Sequence, residues 1–232
     1  VDTVVSAAYG KLHIPTELAE FTDLTLARDG RTLFSGLTFS IKSGDRLVIL
    51  GPNGCGKSTL LQVMMGELEA DAGEVRWRSG VRFSDFVKVL AGLDPTERVF
   101  HCAMAAPQQF LASHEMPTQK SVLRFLRMLG FSEAELQLRI GTLSGGQRAR
   151  LALAWCLTSG PAVVILDEPT NHLDMRSAQI MERALVKFPG AVIAVSHDRF
   201  FVDKIASKLM VFGPDGQVDV RGGGWSAYSA AG

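Results

Sequence analysis

After Glu20 and up to Ile41 the stretch FTDLTLARDGRTLFSGLTFSI alternates apolar and polar residues on either side of Arg28-Asp29-Gly30, which predicts a β-hairpin. The pattern then changes to a short continuous apolar run, DRLVILG (45–51), followed by a glycine-rich loop and by KSTLLQVMMG, a helical stretch closed by Gly66. DAGEVRWR (71–78) predicts a turn and a strand. Phe86, Val89, Leu90 and Leu93 recur at i, i+3, i+4 and i+7 and predict an amphipathic helix over 85–93. DPTE (94–97) predicts a turn and VFHCAMA (99–105) a strand. Val122, Phe125, Leu126 and Leu129 restore the helical spacing before Gly130, and SEAE (132–135) is a capping box for a short helix. QRARLALAWCL (147–157), residues 176–187 and RFFVDKIA then predict helices, with AVVIL (162–166) and AVIAV (191–195) as apolar strands between them. KLMVFGPDGQVDV reads as a closing hairpin with Gly-Pro-Asp-Gly at its turn, and GGGWSAYSAAG as a tail.

Three continuous apolar strands, each followed by a helix, predict an α/β fold with a parallel sheet covered on both faces. Residues 1–18 show no clear period and read as a linker or arm; 19–228 form one domain with a helical lobe at about 107–160, and 229–232 a tail. The 232 residues, 47% of them hydrophobic, suffice for a substantial core. The 24 basic and 24 acidic residues cancel, so no broad nucleic-acid-binding field is implied and any RNA contact is local. Cys55, Cys102 and Cys156 lack CxxC spacing, and His101 and Cys102 are adjacent; this argues against zinc and a disulfide framework. The expected location is a reducing, cytoplasmic one. No apolar run approaches the ~18 residues of a membrane span, and no signal-peptide pattern opens the chain. Its start at Val1 reads as that of a trimmed or excised piece.

GPNGCGKST (51–59) satisfies G-x-x-x-x-G-K-[ST] between a strand and a helix. Gly51, Pro52, Asn53, Gly54, Cys55, Gly56 and Thr59 supply a loop whose amides turn inward around phosphate oxygens. Lys57 is expected to reach the β- and γ-phosphates, and Ser58 to offer its hydroxyl to magnesium. Cys55 reads as a small space-filling residue. The apolar strand ending at Leu166 delivers two adjacent carboxylates. Asp167 suits the magnesium-holding aspartate of P-loop enzymes, and Glu168 the general base that polarises the attacking water. Ser144 in LSGGQRARLALA (143–154) reads as the N-cap of a helix whose N-terminus suits an anion.

In this order the motifs resemble those of the nucleotide-binding domains of the ATP-binding-cassette (ABC) superfamily, over nearly all of 19–228: P-loop, Gln108, LSGGQ, Asp167-Glu168, then His197. The resemblance implies an antiparallel β subdomain and a helical lobe carrying the signature motif. It also implies that Ser144, Gly145, Gly146 and Gln147 bind the γ-phosphate of ATP held by a partner domain, tandem or homodimeric. Gln108, with Gln109 as the alternative register, approaches magnesium, and His197 contacts the γ-phosphate. Asn171, His172, Leu173 and Asp174 match the D-loop that crosses between domains. EPTNHLD, SHDRFF and GGGWSAY are similar to the ABC-F branch, whose members act on ribosomes, and the short path from Phe131 to Leu143 is most like a second domain of a tandem pair. Arg28 stands where the family has an aromatic residue stacking on adenine; a guanidinium also stacks on a base. The span Ser79–Ala106 is longer than the family leads one to expect. The function implied is an ATPase of a translation-related factor. The motor subunit of a membrane transporter, which NHLD counts against, and an ATP-gated module with little turnover are the alternatives. DNA-repair heads need a coiled coil that this sequence lacks.

Overall fold

The computed structural model describes residues 14–110, 119–171 and 173–226, with the backbone alone at 106–110, 121 and 215. The arm expected at 1–18 lies mostly outside these residues, as does the tail at 229–232. Strands β1 (Glu17–Arg28) and β2 (Arg31–Lys42) form the predicted hairpin. Its two-residue turn places both Asp29 (φ 52°) and Gly30 (φ 74°) at positive φ, the geometry that matches the twist of paired strands. Strand β4 (Ala72–Trp77) pairs antiparallel with β1, giving a three-stranded sheet in the order β2-β1-β4.

A second sheet runs β5-β6-β7-β3-β8-β9. Strands β5 (Phe83–Asp85), β6 (Val163–Asp167), β7 (Ala191–Val195), β3 (Arg46–Leu50) and β8 (Lys208–Phe212) are parallel, and β9 (Val218–Gly222) closes the edge antiparallel to β8. The continuous apolar runs of the central strands conceal a period of two. Leu47, Ile49, Val163, Ile165, Ala191 and Ile193 face the core shared with the antiparallel sheet. Val48, Leu50, Val164, Leu166, Val192 and Ala194 face the core shared with the helices. Each large member of these layers contributes about 1.5–3 kcal/mol by burial.

The helices are α1 (Lys57–Met64), α2 (Phe86–Ala91), α3 (Val99–Phe110), α4 (Gln119–Met128), α5 (Glu133–Leu136), α6 (Gly145–Thr158), α7 (Met175–Val186) and α8 (Arg199–Ile205). The predicted strand at 99–105 is therefore a helix. Val99, Cys102 and Ala103 bury one face at i, i+3 and i+4, and the sheet position beside β6 is taken by β5, a three-residue strand with no period to read. The helix predicted over 85–93 forms as α2, capped by Asp85, whose carboxylate accepts from the amides of Val87 and Lys88. It covers the helical core with Phe86.

Candidate nucleotide site

Three positive-φ glycines shape the loop after β3. A Cβ on Gly51 (φ 153°) would lie 2.7 Å from Phe212 Cβ, and one on Gly56 (φ 112°) 3.0 Å from Leu33 Cβ, so both positions exclude a side chain. Buried Cys55 fills space beside Gly51. Helix α1 begins immediately after Gly56 and presents its N-terminal amides to the loop. Lys57 is only 7% exposed, and its Nζ donates 2.8 Å hydrogen bonds to the carbonyls of Gly51 and Pro52, spanning the loop it belongs to.

Ser58 Oγ donates a 2.7 Å hydrogen bond to Asp167 Oδ2. Two hard oxygens from separate elements thus converge beside the loop, a donor set that fits magnesium. Glu168 follows at φ 47°, a left-handed conformation that costs a non-glycine residue about 1–3 kcal/mol. Its amide is held by the carbonyl of Val195 at the end of β7, 2.9 Å away. The side chain is thereby turned toward His197, whose Nε2 lies 3.2 Å from Glu168 Oε1.

A cavity of about 430 Å³ gathers Arg28, Asn53, Gly54, Gly56, Lys57, Ser58, Thr59, Asp167, Glu168 and His197, all anticipated from the sequence. Leu33 and Val195 also line it and were not anticipated. The inward phase of the β2 alternation and the last apolar residue before Ser196-His197 were the only signals for them. Arg28, exposed at the end of β1, has Nη1 bonded to the carbonyl of Ala27 (2.8 Å) and 3.5 Å from Asp71 Oδ1. Gln108 lies near the C-terminal end of α3, and its side chain is outside the described residues. The backbone that leaves the sheet beside β6 is Asp85-Phe86, not the glutamine segment.

Ser144, Gly145, Gly146 and Gln147 do not line this cavity. Ser144 caps α6 in a reciprocal box: its hydroxyl accepts from Gln147 N at 3.2 Å, and Gln147 Oε1 accepts from Ser144 N at 2.7 Å. Gly145 is exposed with open space around it, whereas Gly146 is buried. Past the acid pair, Asn171 N donates to the carbonyl of Glu168 (3.2 Å), Leu173 N to that of Thr170 (3.1 Å), and Asp174 caps α7. His172 lies outside the described residues. A second cavity of about 500 Å³, with Phe86, Leu90 and Leu173 among its walls, shares Asp167 and Glu168 with the first and touches Gly145 and Arg148.

The model of the ABC transporter family matches residues 34–171, more than half of the chain. The chain is 36% identical to the energy-dependent translational throttle protein EttA of Haemophilus influenzae over 214 residues, which are 91% of this chain and 38% of that protein. It is 32% identical to the ATP-binding protein Uup of Escherichia coli K12, over 89% of this chain and 32% of that protein. The chain thus spans about a third of the length of these relatives. Among solved structures it resembles the ATP-binding subunit of an ABC transporter (TM-score 0.75, 19% identity, 92% of each chain). It also resembles a dimeric ATP-binding cassette in a post-hydrolysis state with ADP and Pi (TM-score 0.70, 20% identity, 88% of this chain and 98% of that one). On the strength of the family match, the chain belongs to the ABC transporter family, as an ATP-binding-cassette ATPase domain whose sequence relatives are ABC-F proteins.

Proposed function

We propose that this domain binds MgATP in the 430 Å³ cavity, closes on a second domain of its kind and hydrolyses the nucleotide, within a cytoplasmic ABC-F protein that acts on ribosomes. The observation that carries the catalytic part is the convergence of Lys57, Ser58, Asp167, Glu168 and His197 on one cavity. Lys57 and the α1 amides hold the phosphates, and Arg28 lies under the base. Ser58 and Asp167 hold magnesium, which when bound neutralises phosphate charge; no role falls to Gln108, since the segment beside β6 is Asp85-Phe86. Glu168 takes the proton of the attacking water, with His197 fixing its carboxylate and the γ-phosphate. The pairing rests on the separation of the Ser144–Gln147 cap from its own cavity: that helix N-terminus is free to meet phosphate held by another domain, and Asn171, Leu173 and Asp174 follow the acid pair. The ribosomal part rests on the identity to EttA and Uup.

Glu168→Gln keeps the shape of the side chain and removes its basicity. In the full-length protein ATP should still bind, turnover should fall ~10²-fold or more, and the variant should co-sediment with ribosomes in ATP. Sedimentation with membranes would instead support a transporter motor. A wild type that closes on ATP without turnover would support a purely ATP-gated module.

A further inference from the structure

Arg150, on the second turn of α6, is 8% exposed and has no counterpart in the chemistry described so far. Its Nη1 donates a 2.9 Å hydrogen bond to the carbonyl of Leu129, and its Cζ lies 5.1 Å from the centroid of the Phe131 ring. The approach is possible because Gly130 (φ 82°) has no side chain: a Cβ there would lie 2.7 Å from Nη1. Arg150 Nε finds no acceptor among the described residues. Burying a guanidinium with a donor unused costs stability, so its retention calls for a return elsewhere.

Two carboxylates hold the turn of α6 that precedes Arg150. Glu135, in α5, accepts from the side-chain amide of Gln147 (2.6 Å) while closing a capping box on Ser132. Asp174 accepts from Ser177 N (2.9 Å) and Ser177 Oγ (2.7 Å), and Gly146 packs directly on it: a Cβ on Gly146 would lie 2.6 Å from Asp174 Oδ2. Both carboxyls are held below their usual range, Glu135 first by Ser132 and Asp174 first by Ser177, and the nearby Arg150 charge adds to each. Burial is the main influence on Arg150 itself and lowers its pKa, against the pull of Glu135 and Asp174.

We propose that Arg150 is the positioning residue of the Ser144–Gln147 cap: anchored on Leu129 and Phe131, it fixes the first turns of α6, whose Gln147 is gripped by Glu135 and whose Gly146 rests on Asp174. The cap is thereby tied to the loop that begins at Glu168, whose carbonyl holds Asn171. The inference rests on the paired-domain reading.

The test uses the full-length protein with Arg150→Met, which keeps bulk without charge, and Arg150→Lys, which keeps charge without the fork. Affinity for a non-hydrolysable ATP analogue, measured by calorimetry, should stay within about twofold for both, because Arg150 touches nothing in the cavity. The kcat for ATP should fall at least tenfold in Arg150→Met at unchanged KM, with Arg150→Lys between it and wild type. A folded Arg150→Met with turnover within twofold of wild type overturns the proposal, as does a parallel loss of affinity and kcat. Should Arg150→Met fail to fold, Glu135→Gln and Arg150→Lys decide: full turnover in both overturns it, and reduced kcat at unchanged affinity in both supports it. A wild type without ATP turnover overturns the functional reading, and this one with it.

Discussion

Ser58 and Asp167, 109 positions apart in sequence, share a 2.7 Å hydrogen bond between the first turn of α1 and the last residue of β6. The bond brings the two oxygens proposed to hold magnesium to the edge of the phosphate loop. Asp167→Asn should keep a hydrogen-bonding partner for Ser58 but lose the charge. Nucleotide affinity should fall in magnesium and hardly change in EDTA, as read by titration with a fluorescent ATP analogue in both buffers. Equal loss in both would point to a collapsed loop.

Lys57→Ala removes the cation that spans the loop through the carbonyls of Gly51 and Pro52. Hydrogen bonds to charged groups are worth about 1.5–3 kcal/mol each, so ATP affinity should drop by roughly 10²-fold. Calorimetry on the purified variant checks this, and an unchanged Kd refutes the assignment of the cavity to the triphosphate.

Gly146→Ala should destabilise the domain by about 1–3 kcal/mol through overpacking, since its Cβ would stand 2.6 Å from Asp174 Oδ2 and 2.7 Å from Ser177 Oγ. Gly145→Ala, in open space, should shift the urea midpoint much less. Equal midpoints for the two variants would show that the cap does not rest on Asp174.

Cys102 and Cys156 are buried, and burial pushes both thiols up from the ordinary 9.0 to about 12. At pH 8 their thiolate fraction is on the order of 10⁻⁴, so neither should react with a thiol reagent until the domain unfolds. A pKa raised in the folded state contributes stability that is complete below pH 9 and is lost as pH rises toward 12. The denaturation midpoint should accordingly fall across that interval, and less so in Cys156→Ala.

The elements that carry chemistry were legible because local spacing encodes them. The glycines and lysine of 51–59 declare a strand-loop-helix without reference to the rest of the chain, and β6 and β7 announce themselves as apolar runs ending in Asp167 and just before His197. Val99–Ala105 misled because a seven-residue apolar stretch lacks the length to separate a buried helix from a buried strand. Strand β5 left no signal in three residues. The support of the cap was equally hidden, since Glu135 reaches Gln147, Asp174 reaches Gly146 and Arg150 reaches Leu129 only through tertiary packing.

The close fit of Gly56 against Leu33 has a mechanical side. Arg28 and Leu33 belong to the antiparallel sheet, the loop and the acid pair to the parallel one, and the two sheets share no backbone ladder among the described residues. A molecule in the cavity is a splint across that seam. Grip on the nucleotide and stiffness between the sheets are then one property measured in two ways. A substitution that loosens the β1–β2 hairpin weakens the hold on a phosphate it never touches.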